Sequence, residues 1–150
     1  MNRNLRNAFL VFAFALSTTT AAQAQISEEV LVRVPLENYL KAHATGDPEY
    51  ARKAFHTEGN MIWIRDGKYT VETFDAFIKR AFTGKPAADE EQRKNGRKIE
   101  AIDISGTAAV ARIVLNYPTV KFVDYMTLLK INGEWKITNK SFYAEPKKTQ

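Results

Sequence analysis

Cysteine is absent, and the 150 residues hold only two histidines, two tryptophans, five prolines and seven glycines. Without a thiol the chain can make no disulfide and carry no cysteine-linked lipid, so an ordinary hydrophobic core must hold it together. A domain of this size can build one, since chains of about 150 residues bury roughly 68–70% of their unfolded surface. Two histidines without cysteine leave too few ligands for a structural zinc site, and neither a metal nor a cofactor is expected. No serine sits in G-x-S-x-G, no G-x-x-x-x-G-K cradles a phosphate, and no dinucleotide glycine fingerprint occurs. Internal repeats and low-complexity tracts are also missing.

A membrane-spanning run is lacking too. The longest apolar stretch, Ala8 to Leu16, is far shorter than the about 20 residues a span needs, and Ser17-Thr18-Thr19-Thr20 ends it. Arg3 and Arg6 precede it, and a small-residue exit ending in Ala22-Gln23-Ala24 follows, the three parts of a secretory leader. The expectation is therefore export to the periplasm or beyond. Residues 1–24 are read as a signal peptide cut after Ala24, and 25–150 as one domain with no membrane attachment after cleavage. Strong charge of one sign is also absent. The net charge of +5 includes Arg3 and Arg6, and without them 20 basic and 17 acidic groups leave +3. That balance is too mild for a nucleic-acid partner, which needs a concentrated basic face.

What remains reads as helices first and strands afterwards. Ser27 with Glu28 and Glu29 opens a helix, and Pro35 either kinks it or begins it. Leu36, Tyr39, Leu40 and His43 then fall on one helical face. Gly46, Asp47 and Pro48 supply a C-cap, an N-cap and a first residue for a second helix reaching about Phe55. Asn60 to Arg65 reads as a buried strand, with Asp66-Gly67 turning into a short return strand over Lys68 to Val71. Phe74, Phe77, Ile78, Ala81 and Phe82 mark a third helix, closed by Gly84 and Pro86. The polar stretch Ala88 to Lys98 reads as a solvated loop or mobile flap. Four strands follow, over 98–104, 108–117, 121–131 and 134–143, the last two joined by the hairpin signal Asn132-Gly133. The class is α+β.

A two-residue turn at Asn132-Gly133 sets a register. It pairs Leu128 with Ile137, Met126 with Asn139, Asp124 with Ser141 and Phe122 with Tyr143, and opposite residues share a face. One face then carries Phe122, Met126, Leu128, Ile137 and Tyr143, with Asp124, Asn139 and Ser141 among them. Lys136, Thr138 and Lys140 fall on the other, expected to face water. Three polar groups on the inner face need partners, since an unpaired one costs about 1–3 kcal/mol. Two readings stay open: a self-satisfied hydrogen-bond network, or a cavity whose few polar groups orient a small molecule.

Pro35-Leu36-Glu37-Asn38-Tyr39-Leu40, Thr45-Gly46-Asp47-Pro48, Ala54-Phe55-His56, Arg65-Asp66-Gly67-Lys68, Asp124 to Lys130 and Asn132 to Lys140 together resemble the nuclear transport factor 2-like superfamily, most of all its "putative lumazine-binding" branch. The resemblance implies a cone-shaped roll of about three N-terminal helices packed on a curved, mostly antiparallel sheet. It also implies a pocket at the wide end, commonly in a homodimer, and a pteridine- or flavin-like ring as ligand. The scaffold hosts enzymes and non-catalytic binders alike. Ketosteroid isomerases of the superfamily place a carboxylate base on the first strand, where this chain has Met61-Ile62-Trp63-Ile64; Asp124 resembles their acid position. The preferred reading is a non-catalytic binder whose pocket takes in Tyr39, His56, Trp63, Asp124, Met126, Asn139 and Tyr143. An alternative is a lyase or isomerase of the polyketide cyclase/dehydratase kind using His56 and Asp124. Another is a dimeric interaction module whose outer sheet face shows Tyr125, Leu129 and Phe142.

Overall fold

The computed structural model describes residues 27–148, so the leader reading lies outside the described residues. Helix α1 (Glu28–Thr45) starts where the Ser27 hydroxyl accepts the Val30 N–H at 3.4 Å. Pro35 lies inside this one continuous helix, and its missing N–H leaves the Leu31 carbonyl without the usual intrahelical donor. Gly46 ends the helix in the left-handed conformation, φ 69°, with its N–H on the Ala42 carbonyl at 2.8 Å. A Cβ there would come within 1.8 Å of the Lys85 carbonyl oxygen, so two chain segments meet where only glycine fits.

Helix α2 (Pro48–Ala54) is capped by the Asp47 carboxylate, which accepts the Glu49 N–H at 2.9 Å. Strand β1 (Phe55–Arg65) follows directly, beginning at Phe55 where the pattern of apolar residues suggests Asn60. It turns through Asp66-Gly67 into β2 (Lys68–Thr73), and Thr73 then caps α3 (Phe74–Ala81) by accepting the Ala76 N–H at 3.3 Å.

The segment after α3 is as solvated as expected over most of its length but has more regular structure than a loop or flap. It folds into α4 (Glu90–Arg93) and a 3-10 turn (Lys94–Gly96), held by Arg97. The Arg97 guanidinium grips the Glu90 carboxylate with two N–H groups, and it donates to the Tyr117 hydroxyl and the His43 carbonyl, each at 3.2 Å. Its side chain is 5% exposed. Arg97 and Glu90 are spent on internal partners, while Glu91, Gln92, Lys94, Asn95 and Lys98 stay exposed to solvent.

Strands β3 (Arg97–Ser105), β4 (Ala108–Asn116), β5 (Val120–Ile131) and β6 (Glu134–Pro146) complete a curved six-stranded sheet that does not close, in the order β2-β1-β6-β5-β4-β3. Among the described residues only β1 and β6 pair in parallel; the other neighbours are antiparallel. The helices pack on the sheet, and Val32, Leu36 and Tyr39 of α1 join Phe74, Ile113, Leu128 and Ile137 in one core. The class is α+β, as the order of elements in the sequence indicates.

The register of the last hairpin departs from the simple count. Ile131–Glu134 and Leu128–Ile137 pair as expected, but Thr127 then faces Asn139, leaving Thr138 as an extra residue. This is a β-bulge. The Thr138 hydroxyl donates to the Thr127 carbonyl at 3.3 Å, giving the irregular ladder a partner. From Asn139 onward every side chain changes face. Asn139, Ser141 and Tyr143 turn outward, while Lys140, Phe142 and Ala144 turn inward. The physical reason is electrostatic. Counting by twos would place three polar side chains on the inner face with no cation; the bulge replaces two of them by one lysine beside Asp124.

Candidate functional site

A cavity of about 580 Å³ opens among α1, α3, β1, β5 and β6. Aromatic rings make up much of its wall: Tyr39, Trp63, Phe77, Phe122 and Phe142 border it, with Met61 and Leu115 among the apolar residues and Arg65 and Asp66 among the charged ones. Trp63 and Phe142 lie tilted face to face, ring centres 5.3 Å apart. Arg80 also borders it, its charge taken up by Glu72 at 2.7 Å.

Lys140 is the cavity's buried cation, and it lies beside the fully buried Asp124. Its ammonium donates to the Tyr39 hydroxyl at 2.9 Å and lies 3.3 Å from both Asp124 oxygens. Tyr39 in turn donates to Asp124 Oδ2 at 2.6 Å. Asp124 is fully buried and does not border the cavity; it supports Lys140 and Tyr39 from behind. The rings of Tyr39, Phe77 and Phe142 surround the ammonium at 5.2, 5.2 and 4.8 Å, within cation–π range.

Burial acts on the titration of Tyr39, Lys140 and His43. It holds the Tyr39 phenol well above its ordinary 10, helped by the negative charge of Asp124. It also draws the Lys140 ammonium below its ordinary 10.5, against the opposing pull of Asp124. His43, set edge-on to Tyr39 and Phe82 at 4.7 and 5.1 Å, is pushed well below 6.5 by burial, then by Lys140, Arg97 and Arg93. His43 borders the cavity, and its Nε2, like the Trp63 Nε1, is enclosed without a hydrogen-bond partner among the described residues. No group of three or more potential metal ligands occurs among the described residues.

Of the residues expected in the pocket, Tyr39 and Trp63 border the cavity, and Tyr143, 66% exposed, meets it only at the mouth. Met126 is buried in the core behind it and does not border it. Asn139 does not reach it either. The bulge turns its amide toward β1, where it donates to the Asn60 side chain at 2.7 Å. His56 is also elsewhere. Phe55 points into the core, so its neighbour on the strand points away, and the His56 Nδ1 accepts the Glu58 N–H at 3.3 Å. No hydrogen bond joins His56 to Asp124, which is taken up with Tyr39 and Lys140. Phe142, expected on the outer sheet face, lies in the cavity wall instead.

Sequence reasoning missed Lys140, His43, Phe77 and Arg80. His43 and Phe77 were readable as inward positions of helical stripes, yet nothing in those stripes separates cavity wall from filled core. Lys140 was hidden by the bulge.

A family model described as "Putative lumazine-binding" matches residues 27–143. Among solved structures, a nuclear transport factor 2-like protein of unknown function from Shewanella baltica OS155 is 26% identical with a TM-score of 0.70, covering 80% of this chain and 95% of that one. Another, from Methylobacillus flagellatus KT, is 27% identical with a TM-score of 0.67, covering 82% and 96%. A curated protein, Aldolase FrzH of a Cladobotryum species, is 25% identical over 118 residues, 73% of this chain and 85% of its own length.

Proposed function

Since the chain belongs to the "Putative lumazine-binding" family within the nuclear transport factor 2-like superfamily, we propose that its cavity binds a small, flat organic molecule carrying a carbonyl or anionic oxygen. One observation carries this reading: a buried ammonium, held by Tyr39 and Asp124, borders an aromatic-walled cavity. The volume falls in the usual range for small-molecule sites, about 300–1,000 Å³. An ammonium has three N–H bonds. Tyr39 and Asp124 engage two, which leaves one for a ligand oxygen. Trp63, Phe122 and Phe142 offer faces for a ring. A pteridine or flavin ring, with its carbonyls and ring nitrogens, suits that set.

Lumazine and riboflavin are the first probes. Each is titrated while Trp63 emission is followed in a Trp135→Phe background and melting is recorded. Saturable quenching should appear together with stabilisation, about 2.7 kcal/mol at a hundredfold excess over Kd. Lys140→Met should weaken both effects. Silence of both readouts, with no small molecule retained in native mass spectrometry of protein from its own host, overturns the reading.

Carbon–carbon bond chemistry is a second reading, favoured by the likeness to the protein named as an aldolase. Its acid–base groups here would be Lys140 and Tyr39, since His56 stands apart from the cavity. Export and homodimer formation belong to the same proposal. The leader motif supports the first, and Val110, Tyr125 and Leu129, exposed together on β4 and β5, support the second.

A further inference from the structure

We propose that Lys140 is a carbonyl-reactive amine, whose Nζ adds to an aldehyde or ketone carbon seated in the cavity and forms an imine. This rests on the binding reading above and adds the ligand's functional group to it. Three features of the geometry lead there. The bulge at Thr138 turns Lys140 inward, and no other lysine among the described residues is buried. Lys140 is one of the residues that line the cavity, which places it beside a seated ligand. Its two polar partners are also the groups such a reaction requires, one to take a proton and one to relay it.

The step balances without any further reagent. The resting ammonium passes a proton to the Asp124 carboxylate, directly or through the Tyr39 hydroxyl that bridges them. The freed lone pair attacks the carbonyl carbon, and the carbon–oxygen π electrons move to oxygen, which takes a proton back from the Tyr39–Asp124 pair. The resulting carbinolamine gives up one of its nitrogen-bound protons to the same pair, which delivers it to the hydroxyl. Water then leaves as the carbon–nitrogen double bond forms. The sum is ammonium plus carbonyl giving protonated imine plus water, with Asp124 again a carboxylate and now the counter-ion of the imine. No electrons are gained or lost. Burial favours the neutral amine over the ammonium, in the direction the first step needs.

Reductive trapping separates this role from that of a mere counter-ion to Asp124. The wild-type domain is incubated at neutral pH with 4-hydroxybenzaldehyde and cyanoborohydride, and then analysed by intact mass and peptide mapping. A single hydroxybenzyl adduct on Lys140, complete while the surface lysines stay unmodified, is the expected result. The adduct should vanish in Lys140→Arg and form more slowly in Tyr39→Phe, with melting curves recorded for both variants. Because the label is mapped on the wild-type chain, the outcome does not depend on either variant folding. Adducts on surface lysines with Lys140 bare overturn the proposal. 4-Hydroxybenzyl alcohol, which has no carbonyl, reports occupancy alone. If it quenches Trp63 while the aldehyde leaves Lys140 unlabelled, imine formation fails and the binding reading stands. If neither compound has any effect, imine formation fails, and the binding reading is decided by the lumazine and riboflavin titrations.

Discussion

Lys140 and Asp124 are each other's reason for being buried. A lone charge at either position would be costly, and breaking a buried pair from one side typically costs about 3–5 kcal/mol. Lys140→Met should lose stability on that scale in urea denaturation, because Asp124 keeps only the Tyr39 hydrogen bond. Lys140→Met combined with Asp124→Asn should recover most of the loss. A single variant as stable as wild type would show that the pair is not charged inside the fold. His43 gives a pH signature. Its protonation is suppressed in the folded chain and free in the unfolded one, so the unfolded state binds more protons below pH 6.5. Stability is therefore full above pH 6.5 and falls as the pH drops through that value, by about 1.4 kcal/mol per pH unit. Melting measured from pH 7.5 to 5 should show this slope, and His43→Phe should remove it. A wild-type profile flat over that window contradicts the buried neutral imidazole. At this scale the sequence was legible in part. Tyr39 and Trp63 could be read as inward aromatics, but the company each keeps is fixed by contacts between residues far apart in the chain.

Element boundaries followed from local chemistry wherever that chemistry is self-contained. Ser27, Asp47 and Thr73 cap their helices with their own side chains, and Gly46 closes α1. The register of β6 did not, because a bulge depends on what two strands must bury together. The same region contains a tight contact at Gly59 on β1. A Cβ there would lie 2.5 Å from the Phe74 ring and 2.7 Å from the Thr138 carbonyl, so the bulge, β1 and α3 meet over a residue with no side chain. Gly59→Ala should destabilise the domain by about 1–3 kcal/mol, as overpacking does. If the contact holds the bulge, it should also weaken whatever binds at Lys140. Chemical denaturation and a binding titration on one sample test both, and unchanged values in the two would show that β1 can move aside. The stretch from Ala88 to Lys98 teaches a related lesson. Arg97 read as solvated because two of its partners, the Tyr117 hydroxyl and the His43 carbonyl, belong to distant elements.

For the whole molecule, the leader reading predicts that protein isolated from its own host begins at Gln25, which N-terminal sequencing or intact mass would establish; a chain still starting at Met1 would refute it. The α+β class, the order of helices and strands, and the family were all set down in the sequence. Periodicity, capping residues and turn pairs act over a few neighbours, and they need no knowledge of the rest of the chain. The cavity and its chemistry were decided elsewhere. One extra residue in a strand chooses Lys140 over Asn139 for the interior. That choice depends on the cost of leaving Asp124 buried without a cation, and this cost exists only once α1, β5 and β6 have come together.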